Sequence, residues 1–121
     1  MRVGDLPRAY AVLQSSLAVA EEIGSERMVN LNGMMLAYLD ALKGSDEARQ
    51  TLVQRIAKAE MQRWTWDVLT GRYLLGKLYL ERGDARAARR ELGLARTMAV
   101  STDNRLLIAD CDSELAKLPP G

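Results

Sequence analysis

A pattern that returns at a step of about forty residues constrains this chain more than anything in its composition. Ala9, Leu13, Leu17 and Ala20 shift by 39 onto Ala48, Leu52, Ile56 and Ala59, and by a further 40 onto Ala88, Leu92, Arg96 and Ala99. The turns ahead of them, at Gly4, Gly44 and Gly83, keep nearly the same step. Ala and Leu are common here, so a single coincident pair would mean little, but three aligned quartets behind three aligned turns signal a repeated unit. The three- and four-residue spacing within a quartet is one face of a helix. A period of this size belongs to stacked helical hairpins, in which each unit buries its apolar face only against its neighbours.

Local signals place the helices. Asp5 is a suitable N-cap and Pro7 falls in a first turn, where its missing N–H costs little, so a helix over 6–23 is expected, closed by Gly24. Ser25 caps a second, with Met28, Leu31, Met35, Tyr38 and Leu42 on a stripe that Met34 and Leu39 widen. Gly44-Ser45 opens a third over 46–61, and a link containing Trp64 and Trp66 leads into a fourth over 65–81. The fifth is expected over 84–100, and the sixth from about 103, with Leu107, Cys111, Leu115 and Leu118, stopped by Pro119-Pro120-Gly121. With Phe absent and Leu, Ala, Val and Met supplying most of the apolar residues, the chain reads as all-α. Its 121 residues suffice for one domain with a core of its own.

The stretch 75–99 concentrates the pattern. Leu75-Gly76-x-x-Tyr79, then Gly83-Asp84, Ala88, Leu92 and Ala95, resembles the tetratricopeptide (TPR) signature of helix A, tight turn and helix B. The segment 4–25 resembles the turn and helix B of such a repeat, while the middle copy departs from it. There Met35-Leu36 stand in place of Leu-Gly, and Arg55 replaces the small residue matched by Ser16 and Ala95. The step is longer than the usual one and resembles the looser repeats of large bacterial signalling and regulatory proteins. The resemblance implies about six helices in antiparallel hairpins, stacked as a right-handed TPR-like solenoid. The physical reading agrees. A glycine inside a helix costs about 1 kcal/mol against Ala, and close approach of the facing helix at Gly76 is the reason expected for it.

Composition excludes several functions. The charges nearly balance, with 17 basic and 16 acidic residues, so a dedicated nucleic-acid binder is not expected. There is no histidine, the commonest general base and zinc ligand. Neither a Gly-rich phosphate loop nor a nucleophile elbow is present. Cys111, the only cysteine, lies on the apolar stripe of the last helix and reads as a packed thiol. Asp110, Asp112 and Glu114 read as solvated surface rather than a metal site. Arg82-Gly83-Asp84 spells an integrin-binding tripeptide, yet each residue is explained by a helix end and a cap. No enzyme activity, cofactor or membrane span is expected, and a lone cysteine suits the cytoplasm.

The expected function is therefore a non-catalytic scaffold that binds a protein or peptide. The alternatives are a regulatory or sensor segment of a larger signalling protein and, less in keeping with the charge, an RNA-binding repeat. In TPR-like arrays the A helices line the concave groove. Thr70, Tyr73, Lys77 and Glu81 fall on one side of the fourth helix at three- to four-residue steps, and Asn30 occupies the place of Thr70 one repeat earlier. Mixed polar and aromatic side chains suit peptide capture. Tyr73 and Lys77 stand where some relatives carry the Lys and Asn of a carboxylate clamp, so a chaperone-tail receptor is not expected. Arg86, Arg89 and Arg90 form a second candidate patch, for an acidic partner. Trp64 and Trp66 read as a plug in a widened inter-repeat gap or, alternatively, as an exposed wedge. Finally, the first helix has no helix A before it. It is expected to expose Tyr10, Val12, Leu13 or Leu17, as the C-terminal part of a longer array or as a subunit that self-associates there.

Overall fold

A computed structural model describes residues 6–119; the turn at Gly4, the cap at Asp5 and the end of the Pro-Pro-Gly stop lie outside the described residues. Six α-helices account for nearly all of them, with no strand among the described residues: α1 (Leu6–Ile23), α2 (Glu26–Leu42), α3 (Asp46–Met61), α4 (Thr65–Glu81), α5 (Ala85–Ser101) and α6 (Arg105–Leu115). The helix ends fall within about two residues of those expected, except that α6 stops at Leu115, ahead of the prolines. No helix is long and apolar enough to cross a membrane.

Every turn between the described helices has the same construction. Gly24, Gly44, Arg63, Gly83 and Asp103 each take a positive φ, between 51° and 108°. The next residue then donates its N–H to the carbonyl five positions back: Ser25 to Ala20, Ser45 to Asp40, Trp64 to Ala59, Asp84 to Tyr79 and Asn104 to Ala99, at 2.8–3.3 Å. This is a Schellman-type end, which satisfies a carbonyl the helix leaves free. At four of the turns the donor residue also caps the following helix. Ser25 Oγ, Ser45 Oγ, Asp84 Oδ1 and Asn104 Oδ1 accept from the N–H three residues on, at 3.0–3.3 Å. The link at Trp64 is no longer than the others, so the extra length of the repeat does not fall there. The long step comes instead from helices of 16–18 residues joined by such short turns.

The chain divides into two compact units, Met1–Trp64 and Thr65–Gly121. In the first, α2 packs against both α1 and α3. Tyr10, early in α1, donates its hydroxyl to Asp40, late in α2, and Lys43 Nζ sits 4.2 Å from the centre of its ring, which shows the two helices to be antiparallel. Ala20, Met34, Leu39, Ala41, Leu52, Ile56 and Ala59 are the most deeply buried apolar positions of this unit. In the second, α5 packs against both α4 and α6. Its Ala88, Leu92, Ala95 and Ala99 are fully buried, and Ala95 and Ala99 share one interior with Leu69 of α4 and Cys111 of α6. Arg96, aligned with Leu17 and Ile56, leaves the core stripe. It forms an ion pair with Asp112 of α6, Nε to Oδ1 at 2.5 Å.

The two hairpins solve one packing problem in opposite ways. In unit two the large residue is on the first helix: Tyr73 of α4 packs on a cluster that includes Ala95 of α5. Forty residues earlier the sizes exchange, with Gly33 on α2 and Arg55 on α3. A Cβ added at Gly33 would lie 2.4 Å from the Arg55 guanidinium carbon, so the arginine lies directly on the glycine. The small residue missing at Arg55 is thus supplied from the facing helix. Gly76 has the role expected of it, since a Cβ there would meet Leu92 Cγ at 2.6 Å and the Leu92 backbone nitrogen at 3.2 Å.

Gly76→Leu is therefore expected to lower stability by about 1–3 kcal/mol or more through overpacking, against the gain in helix propensity. Urea unfolding followed by far-UV circular dichroism checks it; a variant as stable as the parent would show that α4 and α5 do not meet at Leu92.

Candidate functional site

The candidate residues fall into different settings. Asn30 belongs to unit one and is interior, 1% exposed. Its Nδ2 donates to the Arg55 carbonyl at 3.0 Å, and the Arg55 guanidinium returns a bond to its Oδ1 at 3.4 Å. Gly33 allows Arg55 to lie against α2, and Asn30 fastens it there. Asn30 is a brace between α2 and α3, not the groove-lining side chain expected from its alignment with Thr70.

The remaining candidates all lie in unit two. On α4, Tyr73 is half-buried against Leu69, Ala95, Ala99 and Cys111. Lys77, one turn on, holds its Nζ 5.4 Å from the centre of the Tyr73 ring, a cation over an aromatic face. Thr70, one turn back, has a hydroxyl oxygen shielded from solvent with no hydrogen-bond partner, the one such side-chain atom among the described residues. Glu81 is exposed at the end of the helix. Thr70, Tyr73 and Lys77 therefore make a short ladder on α4. Burial pushes the Tyr73 phenol up to about 12, with Glu114 and Asp110 of α6 adding to the shift. Those two carboxylates are the part of the site that the sequence did not reveal. They belong to the acidic run on α6, and only the packing of α6 brings them beside Tyr73. Glu114 is itself bound by Lys117, at 3.1 Å, and Asp112 by Arg96, so the acidic residues serve different cations.

The α5 arginines form a separate neighbourhood. Arg86, Arg89 and Arg90 are exposed, and Arg89 donates to the Pro119 carbonyl, drawing the C-terminal segment over the helix. Of these three, Glu91 pairs with Arg90 alone. Its carboxylate is buried and receives Arg72 of α4 at 2.7 Å, with Arg90 at 3.5 Å. Of the two tryptophans, Trp66 is exposed and Trp64 half-buried.

Cys111 is fully buried, and burial, then Asp110 and Asp112, pushes its thiol up to about 11. The thiolate is the reactive form, so alkylation of the folded chain near pH 8 is expected to run about a hundredfold or more below that of an ordinary thiol. The rate should return to the ordinary one in denaturant, as iodoacetamide labelling would show. Tyr10, like Tyr73, is held up at about 12, by burial and then by its hydrogen bond to Asp40. Folded tyrosines that keep their protons toward pH 12, while unfolded ones lose them near 10, bind more protons in the native state. Stability from these groups is thus complete below pH 10 and declines as pH rises toward 12. In an ultraviolet titration, Tyr10→Phe and Tyr73→Phe should each remove a late step of tyrosinate absorbance. No protein-family model, curated protein or solved structure matches the chain.

Proposed function

We propose that the chain is a non-catalytic interaction scaffold, a TPR-like array of helical hairpins that holds an extended segment of a protein partner along α4. The observation that carries this reading is the ladder of Thr70, Tyr73 and Lys77. A solvent-shielded hydroxyl without a partner, a half-buried aromatic face and a cation follow one another at one-turn intervals on the same helix. An unpaired buried hydroxyl costs free energy that a peptide carbonyl or N–H would recover. Tyr73 offers apolar contact on a ring already fixed by its neighbours, so little side-chain freedom is lost on binding. Lys77, Asp110 and Glu114 set the charge pattern that a partner must match. The exposed Arg86 and Arg90 extend that pattern on α5 toward acidic partners. In a protein of this kind the cytoplasm is the proposed setting, and no cofactor is needed.

Titration of the isotopically labelled chain with separate pools of acidic, neutral and basic unstructured peptides tests this by amide chemical shifts. At least one pool is expected to perturb Thr70, Tyr73 and Lys77 together. Tyr73→Ala should then weaken that binding by about tenfold or more, as loss of an aromatic anchor does. Shifts elsewhere only, or binding indifferent to Tyr73→Ala, would place the contact on another surface and overturn the proposal.

A further inference from the structure

The face of α1 opposite α2 is apolar and uncovered. Arg8, Ala11, Val12, Ser15, Ala18, Val19, Glu22 and Ile23 are all exposed, and Val12, Val19 and Ile23 are 61%, 55% and 69% accessible. Tyr10, Leu13 and Leu17, also expected at an open face, are instead half-buried on the side turned to α2. Large apolar side chains in a row are rarely left to water. Charged residues mark both ends of the row, Arg8 near the start and Glu22 near the end, and neither has an ion pair among the described residues.

The spacing of those charges identifies the occupant. Arg8, Ser15 and Glu22 follow at seven-residue steps, two helical turns apart, and so run down the middle of the exposed face. A two-fold axis at Ser15 lays a second α1 antiparallel on the first and sets Arg8 against Glu22 of the second copy, and Glu22 against its Arg8. The same operation sets Val12 opposite Ala18, Val19 opposite Ala11 and Ile23 opposite Pro7. Each branched side chain meets a small or flat one, which lets the helices approach closely. A parallel arrangement would set Arg8 beside Arg8 and Glu22 beside Glu22. We propose that this face is an interface between two copies of the chain, an antiparallel α1–α1 pair centred on Ser15. A two-fold contact of this kind is self-complementary and closes on itself. Eighteen residues make a helix about 27 Å long. One such helix per partner falls short of the roughly 1,200–2,000 Å² of a stable interface, so the dimer is a weak and reversible one.

Sedimentation equilibrium of the full chain tests this. The expected result is a monomer–dimer equilibrium with a dissociation constant on the order of 10–100 μM. Val19→Glu should leave a monomer of unchanged helix content, because the position is exposed. Arg8→Glu and Glu22→Arg alone each place like charges together twice in the dimer and should weaken it by about tenfold. Both substitutions in one chain restore opposite charges in the antiparallel register alone, and dimerisation should return to within about threefold of the parent. A monomer throughout the concentration range, association indifferent to Val19→Glu, or a double variant no better than the single ones would each overturn the proposal, the first leaving the face to some other partner.

Discussion

A residue in the left-handed region at the end of each of the first five helices, with a backbone bond reaching five residues back across it, sets the spacing of the repeated pattern. It ends each helix without a spare residue and hands the chain to the next N-cap. Because the bond satisfies a terminal carbonyl that would otherwise need water or a side chain, the turn can be as short as two or three residues and still sit against packed helices. Three of the five turns place glycine there, at no steric cost; Arg63 and Asp103 accept a penalty of roughly 1 kcal/mol each instead. That the geometry persists at Arg63 and Asp103 shows that it does not depend on glycine alone. The near-constant step of the apolar quartets follows from the near-constant step of these turns.

Once the turns hold two helices antiparallel, the distance between them depends on which side chains lie in between. The two hairpins reach close packing with opposite assignments of large and small. Tyr73 on the first helix faces a small-residue surface containing Ala95, and Gly33 on the first helix receives Arg55. Interiors tolerate such exchanges when volume is conserved across the contact. Arg55 brings a polar head into that contact, and Asn30 answers it by bonding both its guanidinium and its carbonyl. One substitution of small by large therefore commits two further positions, Gly33 and Asn30, in the facing helix.

The helices and most of their caps were legible in the sequence because each rests on local chemistry: apolar spacing, a side-chain oxygen at the start, a glycine at the end. Gly76 was legible for a similar reason, since a glycine within a helix calls for a neighbour close by. The exceptions depend on pairs of residues far apart in the chain. Arg63 carries no turn signal, so the link at Trp64 was not legible as a turn of the same kind as the others. Asn30 looks like a surface polar residue until Arg55 is known to lie on Gly33. On α1, Tyr10, Leu13 and Leu17 share a side with Ala9 and Ala20. They were expected to await an absent neighbour, yet α2, which follows directly, covers that side, and the open face is the opposite one. In the candidate site, Tyr73 and Lys77 were visible as a helical stripe. Their acidic surroundings were not, because Asp110 and Glu114 reach Tyr73 only through the packing of a helix more than thirty residues on.

The buried carboxylate of Glu91 links the fold to the proposed site. A carboxylate taken out of water without a partner would cost several kcal/mol, so Arg72 at 2.7 Å is a requirement of its burial. The pair joins the middle of α4 to the middle of α5 and holds the two in register by charge, next to the steric lock of Gly76 on Leu92. Tyr73 is the residue after Arg72, about 100° further round the helix. With Arg72 turned to Glu91, Tyr73 is carried toward Cys111 and the acidic side of α6, where its ring is fixed before any partner arrives. Sliding α4 along α5 to reposition Tyr73 would both strip the buried carboxylate and drive Leu92 into the α4 backbone. The ladder on α4 is therefore a preformed surface, to which a partner of the kind proposed would have to adapt.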